Sequence, residues 1–267
     1  MSYIPLYLEF IKIRLKRMVE YRGAFLSGAA AQFIMYGTTF ALIWIMIDKF
    51  KNLNGWSSYE ILFLYALDLC SYSFAAFFLF NFSMMLPAMI QTGEFDDILT
   101  KPLNPFVHLI SREFNIAYFT HITLSVLVMT ICFINLGIRL NALKLLILLI
   151  VILGGALIQG AALLITTVPS FWLIQNNSLK YTFFTNLKSF IQYPISLYNR
   201  TIQVLLTLVV PYAFINFYPA QYFLNKNDFL IFHPVFQYLT PVVGIILFIL
   251  AYRFWITGVN NYKSTGT

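Results

Sequence analysis

The hydrophobic and polar positions along this chain fall into long apolar blocks separated by short charged or proline-bearing breaks. Residues 26–47, LSGAAAQFIMYGTTFALIWIMI, carry no charge and are closed by Asp48, Lys49 and Lys51; this length crosses a hydrocarbon core as a helix. Similar blocks predict further spans at about 59–82, 114–136, 143–167 and 234–255, and hydropathy adds a fifth in order at 201–217, leaving 171–200 as an amphipathic segment outside the membrane. Before the first block, Ile4, Tyr7, Leu8, Ile11, Leu15 and Met18 recur at helical spacing, with Glu9, Lys12, Lys16 and Glu20 opposite. That pattern predicts an amphipathic helix over residues 1–25 lying in the membrane interface.

Composition narrows the class. Of 267 residues 60% are hydrophobic and only 10% charged, against roughly 45–50% and about 25% in soluble domains. The expected fold class is therefore all-α, a polytopic membrane protein with six transmembrane helices forming one domain over 26–267. The formal charge of +7 is spread among loops, which excludes a nucleic-acid face and places the basic segments beside anionic lipid. With both termini inside, the hydropathy topology puts twelve of the 17 Lys and Arg on the cytoplasmic side. Cys70 and Cys132 both lie in apolar blocks and read as small hydrophobes. Small residues at Gly28–Ala31, Ala75–Ala76, Gly154–Gly155 and Gly160–Ala162 permit close helix approach.

The exception to the apolar pattern is 89–106, MIQTGEFDDILTKPLNPF. Gly93 allows a turn; Glu94, Asp96 and Asp97 crowd the start of a short helix, where the macrodipole favours acid. Lys101 follows at its far end and Pro102 stops it. Phe95, Ile98 and Leu99 share one face at i, i+3, i+4, a shape suited to a groove on another protein and equally to an interfacial turn between two spans.

The run G-E-F-D-D-I-L-T-K-P-L-N-P resembles the G-E-(L/F)-D-x-x-L-x-(K/R)-P-(L/I)-(N/S)-P segment of a bacterial family of ABC-type transport permeases, the type-2 exporter class. A second stretch, Tyr193-Pro194-Ile195 with Pro211-Tyr212-Ala213-Phe214 and Tyr218-Pro219-Ala220, is similar to another run of that family. The resemblance implies a bacterial inner-membrane exporter subunit for amphiphilic or hydrophobic substrates, pairing with a second permease. It implies that 89–106 is a cytoplasmic coupling loop, with Glu94, Phe95, Asp96, Asp97, Ile98, Leu99, Lys101 and Pro102 touching an ABC ATPase subunit. No G-x-x-x-x-G-K-[ST] phosphate cradle occurs in the chain, so ATP and Mg would belong to the partner. The resemblance also implies a different course after Pro169: a polar fifth span at 175–197 and a re-entrant helical pair at 201–222, broken at Pro211 and Pro219.

Ionisable groups at membrane depth are functional candidates by default. Asp68 lies mid-span and His121 near one end of the third span; each also has a structural reading, hydrogen bonding to a neighbouring helix. Gln175, Asn176, Asn186 and Gln192 would line an amphiphile's path. A membrane-embedded lipid-modifying enzyme and a non-transporting scaffold are the competing classes. The enzyme would need clustered His, acid or Ser near one interface, whereas the chain has three His and dispersed acids.

Overall fold

The computed structural model describes residues 4–20, 22–50, 53–173 and 177–264, and among these it is helical without strands. α1 (Ile4–Glu20) leads into α2 (Arg22–Phe50), a 29-residue helix that contains the whole expected first block. Some α2 side chains lie outside the described residues. A tight turn follows in which Asn54 and Gly55 both adopt positive φ, 51° and 81°, and Leu53 and Trp56 exchange both backbone hydrogen bonds; Asn-Gly is the residue pair such a turn favours.

α3 (Ser58–Gln91) is the hub. It starts with the Glu60 carboxylate accepting from the Ser57 amide at 2.7 Å and continues nine residues past the expected end, through Pro87. In its most apolar stretch 78% of residues are buried, against 22% for the final helix, so the other elements wrap α3. Two short helices follow, α4 (Glu94–Leu99) and α5 (Pro105–Glu113). α6 (Tyr118–Asn135) begins four residues later than its apolar block. The reason is local: 114–117 form a linker that folds back on α3, where the Asn115 amide donates to the Phe77 carbonyl at 2.7 Å and Asn115 Nδ2 to Asn81 Oδ1 at 3.1 Å. Gly137, at φ 64°, turns the chain into α7 (Ala142–Thr167), capped by Asn141 Oδ1 accepting from the Lys144 amide.

α7 packs against α3 on one side and α11 (Thr240–Asn260) on the other, and its glycines set the distance. A Cβ on Gly154 would lie 2.8 Å from Pro241 Cα, and one on Gly244 2.4 Å from the Gly154 carbonyl oxygen. The two backbones touch, as the small-residue pattern of the fourth block predicts.

Between these helices the chain winds irregularly: α8 (Asn177–Lys180), a π-helical stretch at Tyr181–Leu187, single 3-10 turns, α9 (Arg200–Val204) with a π continuation to Val209, and α10 (Phe217–Leu224). Hydrogen bonds and ion pairs fix its course beside α3. Lys180 Nζ donates to the Ser83 carbonyl, Lys188 pairs with Asp68, Asn216 Nδ2 bridges the Ile191 and Leu64 carbonyls, and Asn54 Nδ2 donates to the Ser196 carbonyl. Residues 177–196 thus run antiparallel to α3 along most of its length. The 200–224 pair then bends by 78° at the break near Pro211, against the N-terminal end of α3. There Lys226 Nζ reaches Glu60 at 2.7 Å and Trp56 Nε1 donates to Asp228 at 2.9 Å.

Four described helices, α3, α6, α7 with its 3-10 extension to Phe171, and α11, are long and apolar enough to cross a membrane; counting the bent pair as one span makes five. This is a multi-pass membrane protein.

Candidate functional site: a braced acidic helix and a polar cavity

α4 owes its position to Gly93, whose φ of 76° no β-carbon residue adopts cheaply. The following K-P-L-N-P run is a second helix start: Asn104 Oδ1 accepts from the Phe106 and Val107 amides at 3.0 and 3.2 Å, with Pro105 in the first turn. The sequence pattern stopped at Pro102 and missed α5, although Asn-Pro before an apolar-periodic stretch is a start signal.

The apolar face of α4 turns inward. Phe95 and Ile98 are fully buried in this chain's own core. The Phe95 ring lies 5.4 Å from Phe171, 5.1 Å from Tyr262 and 6.2 Å from Trp255, and Trp255 in turn meets Phe82 and Phe106 at 5.2 and 5.8 Å. One aromatic knot therefore joins α4 to the ends of α3, α5, α7 and α11. Polar contacts brace it laterally. Arg112 holds Glu94 at 3.1 Å and Glu113 at 2.7 Å, and Asp96 accepts from Ser264 Oγ at 2.5 Å. What α4 and its exit show outward is Glu94 and Asp97, the latter 3.2 Å from Lys101, with Leu99, Thr100 and Pro102.

Beside it His108 is buried on α5, its ring edge-on to Phe10 of α1 at 5.2 Å, with no hydrogen-bond partner for either nitrogen among the described residues. Burial, then the positive charges of Lys101 and Arg112, hold its pKa below the ordinary imidazole value, with Asp97 opposing. A base whose folded pKa is depressed is favourable only while neutral, so stability falls as pH drops from about 6.5 through the folded value. Acidification over that window is expected to expose α1 to limited proteolysis, and His108→Phe to remove the pH dependence; cleavage indifferent to pH in wild type would contradict this.

The second polar feature is in the membrane-spanning part. Asp68 Oδ1 accepts from Gln159 Nε2 of α7 at 3.1 Å and faces Lys188 Nζ at 3.6 Å. The Lys188 ammonium also lies 3.7 Å from the Tyr72 ring centroid. A cavity of about 580 Å³ opens here, its wall including Tyr36, Asp68, Tyr72, Lys180, Lys188 and Gln192. His121 is buried next to this group rather than in its wall, between the Tyr36 and Tyr118 rings at 4.2 and 5.0 Å. Asn186 is exposed, and Gln175 and Asn176 lie outside the described residues. The structure thus brings Asp68 and Gln192 to one cavity and leaves Asn186 off it. Gln159 and Lys180 were not legible as site residues, since Gln159 needs the packing of α7 on α3 and Lys180 the irregular course of 177–196.

No curated protein and no solved structure matches this chain. A family model does, over residues 33–266, and its description is ABC-2 family transporter protein. That match takes in the hub helix, the braced acidic α4 and the polar cavity, and the chain belongs to the ABC-2 transporter family.

Proposed function

We propose that this chain is the permease subunit of an ATP-driven exporter of amphiphilic or hydrophobic substrates, working in a bacterial inner membrane as a pair of permeases with separate ATPase chains. Six crossings account for the chain: α2, α3, α6, α7, the 177–197 segment and α11, with 200–224 a re-entrant pair at the outer face and α1 along the cytoplasmic interface. The contacts running down α3 support a crossing at 177–197, and polar irregular backbone at that depth is tolerable because protein covers it. ATP and Mg stay on the partner, and this chain's part is to receive motion at α4 and pass it to its helices.

The observation that carries this reading is the construction of α4. A six-residue helix with an exposed acidic and apolar edge, Asp97, Leu99 and Thr100, stands on an aromatic knot shared by four other helices. A push on that edge is delivered to α3, α7 and α11 together. In this arrangement Phe95 and Ile98 act as the mount and Asp97, Leu99, Lys101 and Pro102 as the contact surface, with Glu94 and Asp96 as braces.

Capture of candidate ABC ATPase chains by the full-length permease tests it. Asp97→Lys is expected to weaken capture about tenfold by charge reversal at a rim contact while leaving the permease monodisperse. Phe95→Ala instead empties a buried ring site, a change worth about 3–5 kcal/mol in a core, and is expected to loosen the permease itself. Undiminished capture by Asp97→Lys, or no capture by wild type, would sink the proposal.

A further inference from the structure

The cavity beside Asp68 has a charge imbalance. Among its wall residues are two lysines, Lys180 and Lys188, and one acid, Asp68. Lys188 is accounted for by Asp68 at 3.6 Å and the face of Tyr72 at 3.7 Å. Lys180 is not: it is buried, and among the described residues it donates to one uncharged acceptor, the Ser83 carbonyl. An ammonium has three donors. A buried one without a counter-charge is costly, more so at membrane depth, and such groups mark ligand paths.

We propose that this cavity binds the headgroup of a singly anionic amphiphile, with Lys180 as its counter-ion. The inference rests on the permease reading for its role, and names the substrate class that reading leaves open. One excess positive charge in the wall calls for one negative charge on the ligand. Asp68 leaves no unmatched negative charge for a cationic headgroup, because Lys188 already sits 3.6 Å from its Oδ1. The remaining wall suits the start of an acyl chain: Tyr36, Tyr72, Phe80 and Phe184 line it, and Met35, Met84 and Tyr181 at its rim are 66%, 47% and 61% exposed. A headgroup anchored at Lys180 can therefore leave its tail on an apolar surface. The volume of about 580 Å³ is in the range of small-molecule sites.

Equilibrium binding to the full chain in phosphatidylcholine nanodiscs tests this without the ATPase. The probes are radiolabelled dihexanoyl phosphatidylglycerol, which carries one charge, and its zwitterionic phosphatidylcholine counterpart. Wild type is expected to prefer the glycerol lipid by about tenfold or more. Lys180→Gln should erase the preference and Lys180→Arg keep it, both variants eluting as monodisperse protein. Equal affinity of wild type for the two lipids, or an unchanged preference in Lys180→Gln, overturns the proposal. Inorganic phosphate competing as well as the glycerol lipid would make this a free-anion site and overturn the amphiphile. Lost lipid preference with intact ATPase capture removes this site alone; lost capture with intact preference removes the permease reading and leaves the site.

Discussion

Gly244→Val is expected to be the most damaging single substitution in the membrane domain, leaving little or no monodisperse protein after detergent extraction. A β-carbon at 244 would stand 2.4 Å from the Gly154 carbonyl oxygen and 3.1 Å from its carbon, and both are backbone, so nothing can rotate away. α7 and α11 would have to separate. Helices in lipid gain nothing from hydrophobic exclusion of tails, so their association depends on close packing of this kind, and overpacking that costs about 1–3 kcal/mol against yielding side chains is worse against a backbone. Two controls grade the effect. A β-carbon at Gly160 meets the Leu79 and Phe248 side chains at 3.0 and 3.3 Å, which can give, and one at Gly28 meets nothing within 4 Å. Thermal aggregation monitored by size exclusion should therefore rank Gly28→Ala with wild type, Gly160→Ala slightly below, and Gly244→Val far below. A Gly244→Val protein that extracts and melts like wild type would show that α7 and α11 do not pack as described.

The next largest effect is expected at Asp68. Replacing it with alanine leaves the partly buried Lys188 with, among the described residues, the Tyr72 ring as its partner, and takes an acceptor from Gln159. Removing one member of a buried pair typically costs about 3–5 kcal/mol, whereas replacing both with apolar or neutral groups of similar volume is often close to neutral. Asp68→Ala should thus melt well below wild type, and Asp68→Ala combined with Lys188→Met should recover most of the loss. The double-mutant cycle in nanodiscs reads the interaction directly. Additive losses in the double variant would mean that the two groups do not interact.

Much of the membrane domain is legible in the sequence because hydropathy integrates over some twenty residues. The blocks at 59–82, 143–167 and 234–255 each correspond to a helix that includes most of the block. The 171–200 region resists the same reading for a physical reason. Lys180 and Lys188 lower its average hydropathy, yet both find partners on α3, and averaging cannot see a partner 97 residues away. The bend at Pro211 could be placed from its proline, and from family resemblance, but its angle follows from packing. For α4, periodicity identified Phe95, Ile98 and Leu99 as one face; it carries no information on what that face meets. In the chain Phe95 and Ile98 are buried and Leu99 is 37% exposed. The face splits between the interior and the surface.

The bracing of α4 also has a meaning in time. Phe95 and Asp96 emerge from the ribosome early, but Trp255 and Tyr262, which close over the ring, and Ser264, 168 residues after Asp96, come much later. Chains fold in the order of their synthesis where they can, and here they cannot. A nascent chain made only as far as α7 holds Glu94 through Arg112 but lacks the Phe171, Trp255 and Tyr262 rings that close over Phe95. The aromatic knot under α4 is complete only after α11 and the residues beyond it have been made.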